Sequence, residues 1–186
     1  MNEEMKIHYS SETNEWETPQ NIFDELNDEF NFMLDPCATK ENAKTDKFFT
    51  IEDDGLSQEW TETTFMNPPY GREIKKWVKK AYEESLKGTV VVCLIPARTD
   101  TTYWHDYIFN NACEIRFVRG RIKFGDSKSG APFPSAIVIF NHKNASETPY
   151  IIATELINIT LLLACACVSF YLQWKGAKTD ERRARV

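Results

Sequence analysis

The sequence predicts an α/β fold built on a doubly wound sheet, and three observations carry that expectation. Short apolar runs that read as buried strands alternate with amphipathic segments of helical period. The polar motifs follow directly on strand ends, where open α/β sheets bind their ligands. The run Val90-Val91-Val92-Cys93-Leu94-Ile95 is the clearest buried strand of the 186 residues.

Each element has its own justification. Thr18-Pro19 reads as a helix start, with Thr as a good N-cap and Pro favoured at the first helical position. Ile22, Phe23, Leu26 and Phe30 continue the apolar stripe, so a helix is expected over about 19–29. Phe32-Met33-Leu34 reads as a buried strand ending at Asp35-Pro36. Residues 37–62 are polar, with a short strand expected near Phe48-Phe49. Thr64-Phe65-Met66 is a strand that two prolines stop at Asn67-Pro68-Pro69-Tyr70-Gly71, because neither can donate to a ladder. A helix over about 73–86 places Ile74, Trp77, Val78 and Ala81 inward and Lys75, Lys76, Lys79 and Lys80 outward. The strand 90–95 follows, then a helix over about 102–111 and strands over 115–118 and 136–140. No helix separates the last two, so an antiparallel closure is expected.

The first domain is complete by about Lys143, spanning 14–143, and residues 144–150 read as a linker. A hydrophobic helix is expected over 151–174, with a basic tail over 175–186. Leu156 to Trp174 carries no charge and approaches the ~20 residues that cross a bilayer. Trp174 and the basic flank resemble an interfacial anchor. Asn158, Thr160, Ser169 and Gln173 dilute the run, and one crossing cannot place both the domain and the basic flank in the cytoplasm. Membrane association through 156–174 and a re-entrant, buried or dimer-forming helix all stay open. The N-terminus carries no secretion signal, so a cytoplasmic domain is expected.

Twelve Phe, 7 Tyr and 5 Trp exclude wholesale disorder. The five cysteines, Cys37, Cys93, Cys113, Cys165 and Cys167, fit no zinc spacing and read as reduced thiols, so no metal is expected. The net charge of −6 hides an asymmetry. Residues 1–66 balance at −13 and residues 67–186 at +7. A polyanion would meet the second half.

Asn67-Pro68-Pro69-Tyr70 carries the chemistry. The Asn67 side-chain oxygen and the Pro68 carbonyl are both acceptors. The prolines stiffen the loop, and Tyr70 offers a flat face. Together they suit a planar group bearing an amino nitrogen. Two acceptors on one amine draw electron density onto the nitrogen and aim its lone pair at an electrophile.

At this point the sequence resembles the phage-type DNA adenine methyltransferases. The resemblance covers about residues 14–142. It rests on an ordered set: Trp16-Glu17-Thr18-Pro19, Leu34-Asp35-Pro36-Cys37-Ala38, Asn42-Ala43-Lys44, Asp54-Gly55-Leu56, Asn67-Pro68-Pro69-Tyr70-Gly71, Leu94-Ile95-Pro96-Ala97-Arg98-Thr99-Asp100 and Gly120-Arg121-Ile122-Lys123-Phe124. It implies an abbreviated Rossmann-like methyltransferase fold, S-adenosylmethionine as cofactor and adenine in double-stranded DNA as substrate. By that likeness Asn67, Pro68, Pro69 and Tyr70 are catalytic, holding the amine and stacking on a flipped-out base.

Thr18, Pro19, Asp35, Pro36 and Asp54 are the expected cofactor residues. Thr18-Pro19 resembles a carboxylate-binding motif, and free N–H groups at a helix start favour an anion. Asp35 would meet the methionine ammonium. Asp54 would take the adenosine, with Asp53 as its competitor. Two features depart from the wider pattern: the turn Asp35–Lys40 contains no Gly, and only 32 positions separate Asp35 from Asn67.

Arg98, Arg121, Lys123 and Phe124 are the expected DNA contacts, the cations on phosphate and Phe124 on the base. A strand with charges outward and Phe inward is the alternative for 120–124. The lysines of 75–80 read as a solvated helix surface. An RNA or protein amide substrate, or a non-catalytic binding protein with a membrane-associated tail, stands as the competing function.

Overall fold

The computed structural model describes residues 16–142 and 150–154. Among the described residues there are seven strands: β1 Leu34–Asp35, β2 Lys47–Phe48, β3 Thr64–Met66, β4 Val91–Pro96, β5 Glu114–Val118, β6 Ser135–Phe140 and β7 Tyr150–Thr154. They form one sheet in the order β2-β1-β3-β4-β6-β5-β7. β1 to β4 run parallel, and β6 alone is antiparallel to its neighbours β4 and β5. β5 and β7 pair in parallel. The expected antiparallel closure is therefore present, and the strand order reverses direction at β1 and β3.

Two helices match the periodic stripes: α1 Gln20–Phe30 and α2 Ile74–Leu86. α1 ends at Asn31, whose left-handed φ of 52° closes the last turn. The helix expected over 102–111 is instead centred on a π-helical turn, Trp104–Ile108. Pro96 accounts for its position. The Pro96 carbonyl accepts the Arg98 N–H at 2.9 Å, the Tyr103 hydroxyl at 3.2 Å and the Trp104 Nε1–H at 3.2 Å. That anchorage stacks Trp104 on Phe117, with ring centroids 6.0 Å apart.

Strand register tells the two faces of the sheet apart. Phe65, Val92 and Ile139 are cross-strand partners, as are Arg116 and Ile137, so all lie on one face. α1 covers this face: Phe23 meets Phe65 at 5.3 Å, and Glu29 pairs bidentately with Arg116 at 2.6 Å on both nitrogens. Met66, Cys93, Val138 and Phe140 lie on the other face, covered by α2 and the π turn through Tyr82–Phe140 and Trp104–Phe117. Helices on both faces make the sheet doubly wound.

Two expectations are corrected. The strand placed at 32–34 is Leu34–Asp35, because Phe32 turns sideways into the Phe23–Phe65 cluster while its N–H donates to Asn27 Oδ1. The linker end and helix start at 150–154 form β7 instead. Tyr-Ile-Ile-Ala-Thr is rich in β-branched residues, and it completes the open outer edge of β5. The sheet, and the compact unit containing it, runs to Thr154 rather than to 143. The uncharged run 156–174 and the basic tail lie outside the described residues, as do linker residues 144–149. Among the described residues no helix is long and apolar enough to cross a membrane.

Candidate active site

Three polar side chains gather on the α1 face at the rim formed by the carboxyl ends of the parallel strands. Asp35 ends β1, Asn67 follows β3, and Ser135 opens the antiparallel β6 opposite Pro96. The chain enters this rim through residues 16–18, a strap that crosses it before α1 begins.

The strap fixes the Asn67 amide. Asn67 Nδ2 donates to the Trp16 carbonyl at 2.5 Å and to Thr18 Oγ1 at 2.8 Å. A carbonyl can only accept, so reversing the amide would set two oxygens against each other. The orientation is thus chemically determined, and it turns Oδ1 away from the strap. Among the described residues, Asn67 Oδ1 is buried and has no hydrogen-bond partner. A buried acceptor left unmade costs about 1–3 kcal/mol.

Tyr70 closes the same loop. Its hydroxyl donates to the Leu94 carbonyl at 3.1 Å, and burial holds the phenol well above its ordinary pKa. Its ring meets Trp16, Phe124 and Phe133 at 6.4, 6.0 and 5.5 Å. Those three also meet one another, at 5.4, 5.0 and 6.2 Å. Every pair among the four rings is in contact, so they form a closed aromatic cage beside Asn67. The strap helps to hold it, since the Gly125 N–H donates to the Glu17 carbonyl at 2.8 Å and draws Phe124 inward.

Asp35 is buried at the strand end. Its carboxylate accepts the backbone N–H groups of Cys37 at 3.4 Å and Lys44 at 3.3 Å, and burial still pushes its pKa up to about 6. Pro36 is buried beside it, and Gly55 lies so close to the Pro36 carbonyl that a Cβ there would collide with it. This contact brings the 50–57 turn against the loop after β1.

The turn separates the two acids that the sequence leaves equivalent. Asp53 closes it, accepting the Thr50 N–H at 2.9 Å and hydroxyl at 2.8 Å, whereas Asp54 stands exposed at φ 50°. Lys44 reaches the start of α1, where its ammonium donates to Gln20 Oε1 at 3.2 Å and lies 3.5 Å from Glu17. No side chain caps α1; Pro19 precedes it, and Thr18 points to Asn67.

The expected DNA residues divide by direction. Ile122 and Phe124 are buried, while Arg121 and Lys123, which alternate with them, are exposed. The inward phenylalanine is thus a member of the cage. Arg98, exposed after β4, holds its guanidinium 5.7 Å from the Phe133 ring at the cage rim. The lysines of α2 are matched by acids: Lys75 with Asp106, Lys76 with Glu73, Lys79 with Glu83 and Lys80 with Glu84. Sequence reading misses Phe133, Ser135, Lys44 and the contact of Thr18 with Asn67. The alternation of buried Ala131, Phe133 and Ser135 with exposed Pro132 and Pro134 is the signal that could have found the first two.

The sequence model of the DNA N-6-adenine-methyltransferase (Dam) family matches residues 7–157, which include the whole rim. The chain belongs to this family. A DNA N-6-adenine-methyltransferase of Haemophilus phage HP1 is 31% identical over 137 residues, covering 69% of this chain and 79% of the relative. One from Escherichia phage T1 is 31% identical over 106 residues, covering 55% of this chain and 44% of the relative. Among solved structures, one described as a class I S-adenosylmethionine-dependent methyltransferase of Listeria monocytogenes matches with a TM-score of 0.54. It covers 87% of this chain and 73% of that chain at 11% identity, which speaks to the fold alone. As a Dam-family member the chain is an enzyme that methylates adenine in DNA.

Proposed function

We propose that this Dam-family enzyme takes adenine flipped out of duplex DNA into the cage beside Asn67 and methylates its exocyclic amine there, using S-adenosylmethionine. The observation that carries the reading is the buried, unpartnered Asn67 Oδ1, held in one orientation and bordered by four aromatic rings. Asn67 Oδ1 and the Pro68 carbonyl accept the two amine hydrogens. The amide cannot turn, so the nitrogen lone pair is held in one direction. Tyr70 supplies the stacking face, and Pro69 stiffens its approach. Base entry parts the cage, and the extrusion itself is needed because the amine is otherwise paired inside the duplex.

The rim suits the cofactor. When bound, S-adenosylmethionine supplies an electrophilic methyl group on a sulfonium. A buried carboxylate that burial has pushed up to about 6 suits the amino-acid ammonium, and Asp35 is that group, supported by Pro36. The uncapped start of α1 at Pro19 and the Lys44 ammonium suit the amino-acid carboxylate. Asp54 suits the adenosine, because Asp53 is occupied in its own turn. Thr18 serves Asn67 rather than the cofactor. Arg98, Arg121 and Lys123 hold phosphates around the cage mouth.

The test is methyl transfer from labelled S-adenosylmethionine to unmethylated duplex DNA by the wild-type chain and Asn67→Ala. Label on adenine, reduced about 100-fold or more in the variant, is expected. RNA or protein labelling in place of DNA overturns the substrate, and full activity in the variant overturns the site.

A further inference from the structure

Among the described residues, two buried side-chain polar atoms lack a hydrogen-bond partner: Asn67 Oδ1 and Ser135 Oγ. Ser135 is 1% exposed. Strand register puts Ser135 on the same sheet face as Ile137 and Arg116, the face of α1 and the strap. It pairs with Pro96 at the carboxyl end of β4, so it lies at the same rim as Asn67. Phe133, two residues earlier and also buried, is a wall of the cage. A hydroxyl with no partner among the described residues therefore stands two residues from a wall of the cage, across β4 from the Asn67 amide.

We infer that Ser135 is a substrate-contacting residue, whose hydroxyl donates to a ring nitrogen of the flipped adenine. This rests on the reading that Asn67 holds the adenine amine. Asn67 Oδ1 can only accept, and a serine hydroxyl can donate. An acceptor and a donor on one rim match a base edge that presents an amine beside an unprotonated ring nitrogen. The Watson–Crick carbonyl and N–H edges of guanine and thymine are refused by the same pair, whereas cytosine presents the adenine pattern and is not separated from it by these two groups. β3 and β6 are separated by one strand, about 10 Å between backbones, a gap on the scale of a bicyclic base reached by a side chain from each edge. A site built to bond one polar atom rejects an analogue lacking it, because its own group is then left unmade.

The test uses single-turnover methylation of a short duplex carrying the target adenine mapped from methylated plasmid, and the same duplex with 1-deaza-, 3-deaza- or 7-deazaadenine at that position. Wild type, Ser135→Ala and Asn67→Ala are compared, with thermal midpoints. Ser135→Ala is expected to lower the adenine rate about 5- to 10-fold without lowering the midpoint. One deaza base should slow the wild type by a similar factor and slow Ser135→Ala no further. Equal rates for Ser135→Ala and wild type, or independent effects of every deaza base and the variant, overturn the inference. A rate that falls only together with the midpoint also overturns it. If Ser135→Ala does not fold, the wild type on the three deaza duplexes decides, since indifference to all of them removes the contact. An active Asn67→Ala would instead overturn the reading on which the inference stands.

Discussion

The two faces of the sheet are built to different standards. On the α2 side polar groups are matched: the Pro96 carbonyl takes three donors, and Lys80 and Lys87 both pair with the buried Glu84. On the α1 side the interior is equally settled where Glu29 and Glu114 hold Arg116. At its carboxyl rim, however, lie a buried acid with a raised pKa and two orphaned polar atoms. Native proteins keep such groups few, and they concentrate where a ligand completes them. The contrast is what supports the proposed site at this rim.

The strongest way to break this comparison is to titrate the rim. Asp35 has its folded pKa raised from 3.8 to about 6 by burial. Its contribution to stability is therefore fully present below pH 3.8 and is lost as pH rises through about 6, because the native state holds the proton longer than the unfolded chain. Asp35→Asn does not titrate. The stability of the variant relative to wild type should rise across this window, by on the order of 3 kcal/mol, and stay level above it. Denaturant unfolding between pH 4 and 8 measures the gap. A gap independent of pH would mean the carboxyl is not held in a costly environment. Cofactor affinity should move oppositely, strengthening in wild type as Asp35 ionises and remaining flat in the variant.

A smaller effect sharpens the role of the strap. Thr18→Val keeps the shape and removes the hydroxyl that accepts from Asn67 Nδ2. The amide loses one of its two tethers, and an N–H is left unpaired. The single-turnover rate should fall about 10-fold, as expected when a reacting group is misaligned. The Kd for S-adenosylmethionine should change little. Thr18→Ser should recover most of the rate. A raised cofactor Kd with an unchanged saturated rate would return Thr18 to the carboxylate role that its motif suggests.

That exchange of roles shows how far the sequence reaches. The parallel core was legible because Val91–Ile95 and Phe65–Met66 are apolar runs with prolines at or just after their ends. α1 and α2 were legible because Ile22, Phe23 and Leu26, then Ile74, Val78 and Ala81, recur at helical spacing. Asn67 and Tyr70 were legible as candidates because their residue types suit one chemistry within a single tetrapeptide. Thr18 was legible as important, but its partner was not. A contact across 49 positions depends on where the strap crosses the sheet, which periodicity does not encode. Ser135 carries no motif of its own, and only the register of β6 against β4 brings it to the rim. β7 was misread for a related reason: an apolar segment beside a longer apolar run has no period that separates strand from helix until an open sheet edge selects one.

The smallest expected effects concern the cations, where the two surfaces differ in pairing rather than in number. Lys76 and Lys79 on α2 each sit against an acid one turn away, Glu73 and Glu83. Arg121 and Lys123 are exposed beside the cage, and among the described residues neither forms an ion pair. A phosphate near Lys76 or Lys79 would meet a dipole, because the neighbouring carboxylate repels what the ammonium attracts. A phosphate near Arg121 or Lys123 meets a whole charge and releases counterions on binding. Arg121→Ala and Lys123→Ala should each weaken duplex binding and reduce the slope of log K against log salt by about 1. Lys76→Ala and Lys79→Ala should leave affinity within about twofold and the slope unchanged, and should shift stability by no more than ~0.5 kcal/mol. Equal slopes in the two sets would mean that DNA reaches across α2, and the matched lysines would then belong to the binding surface.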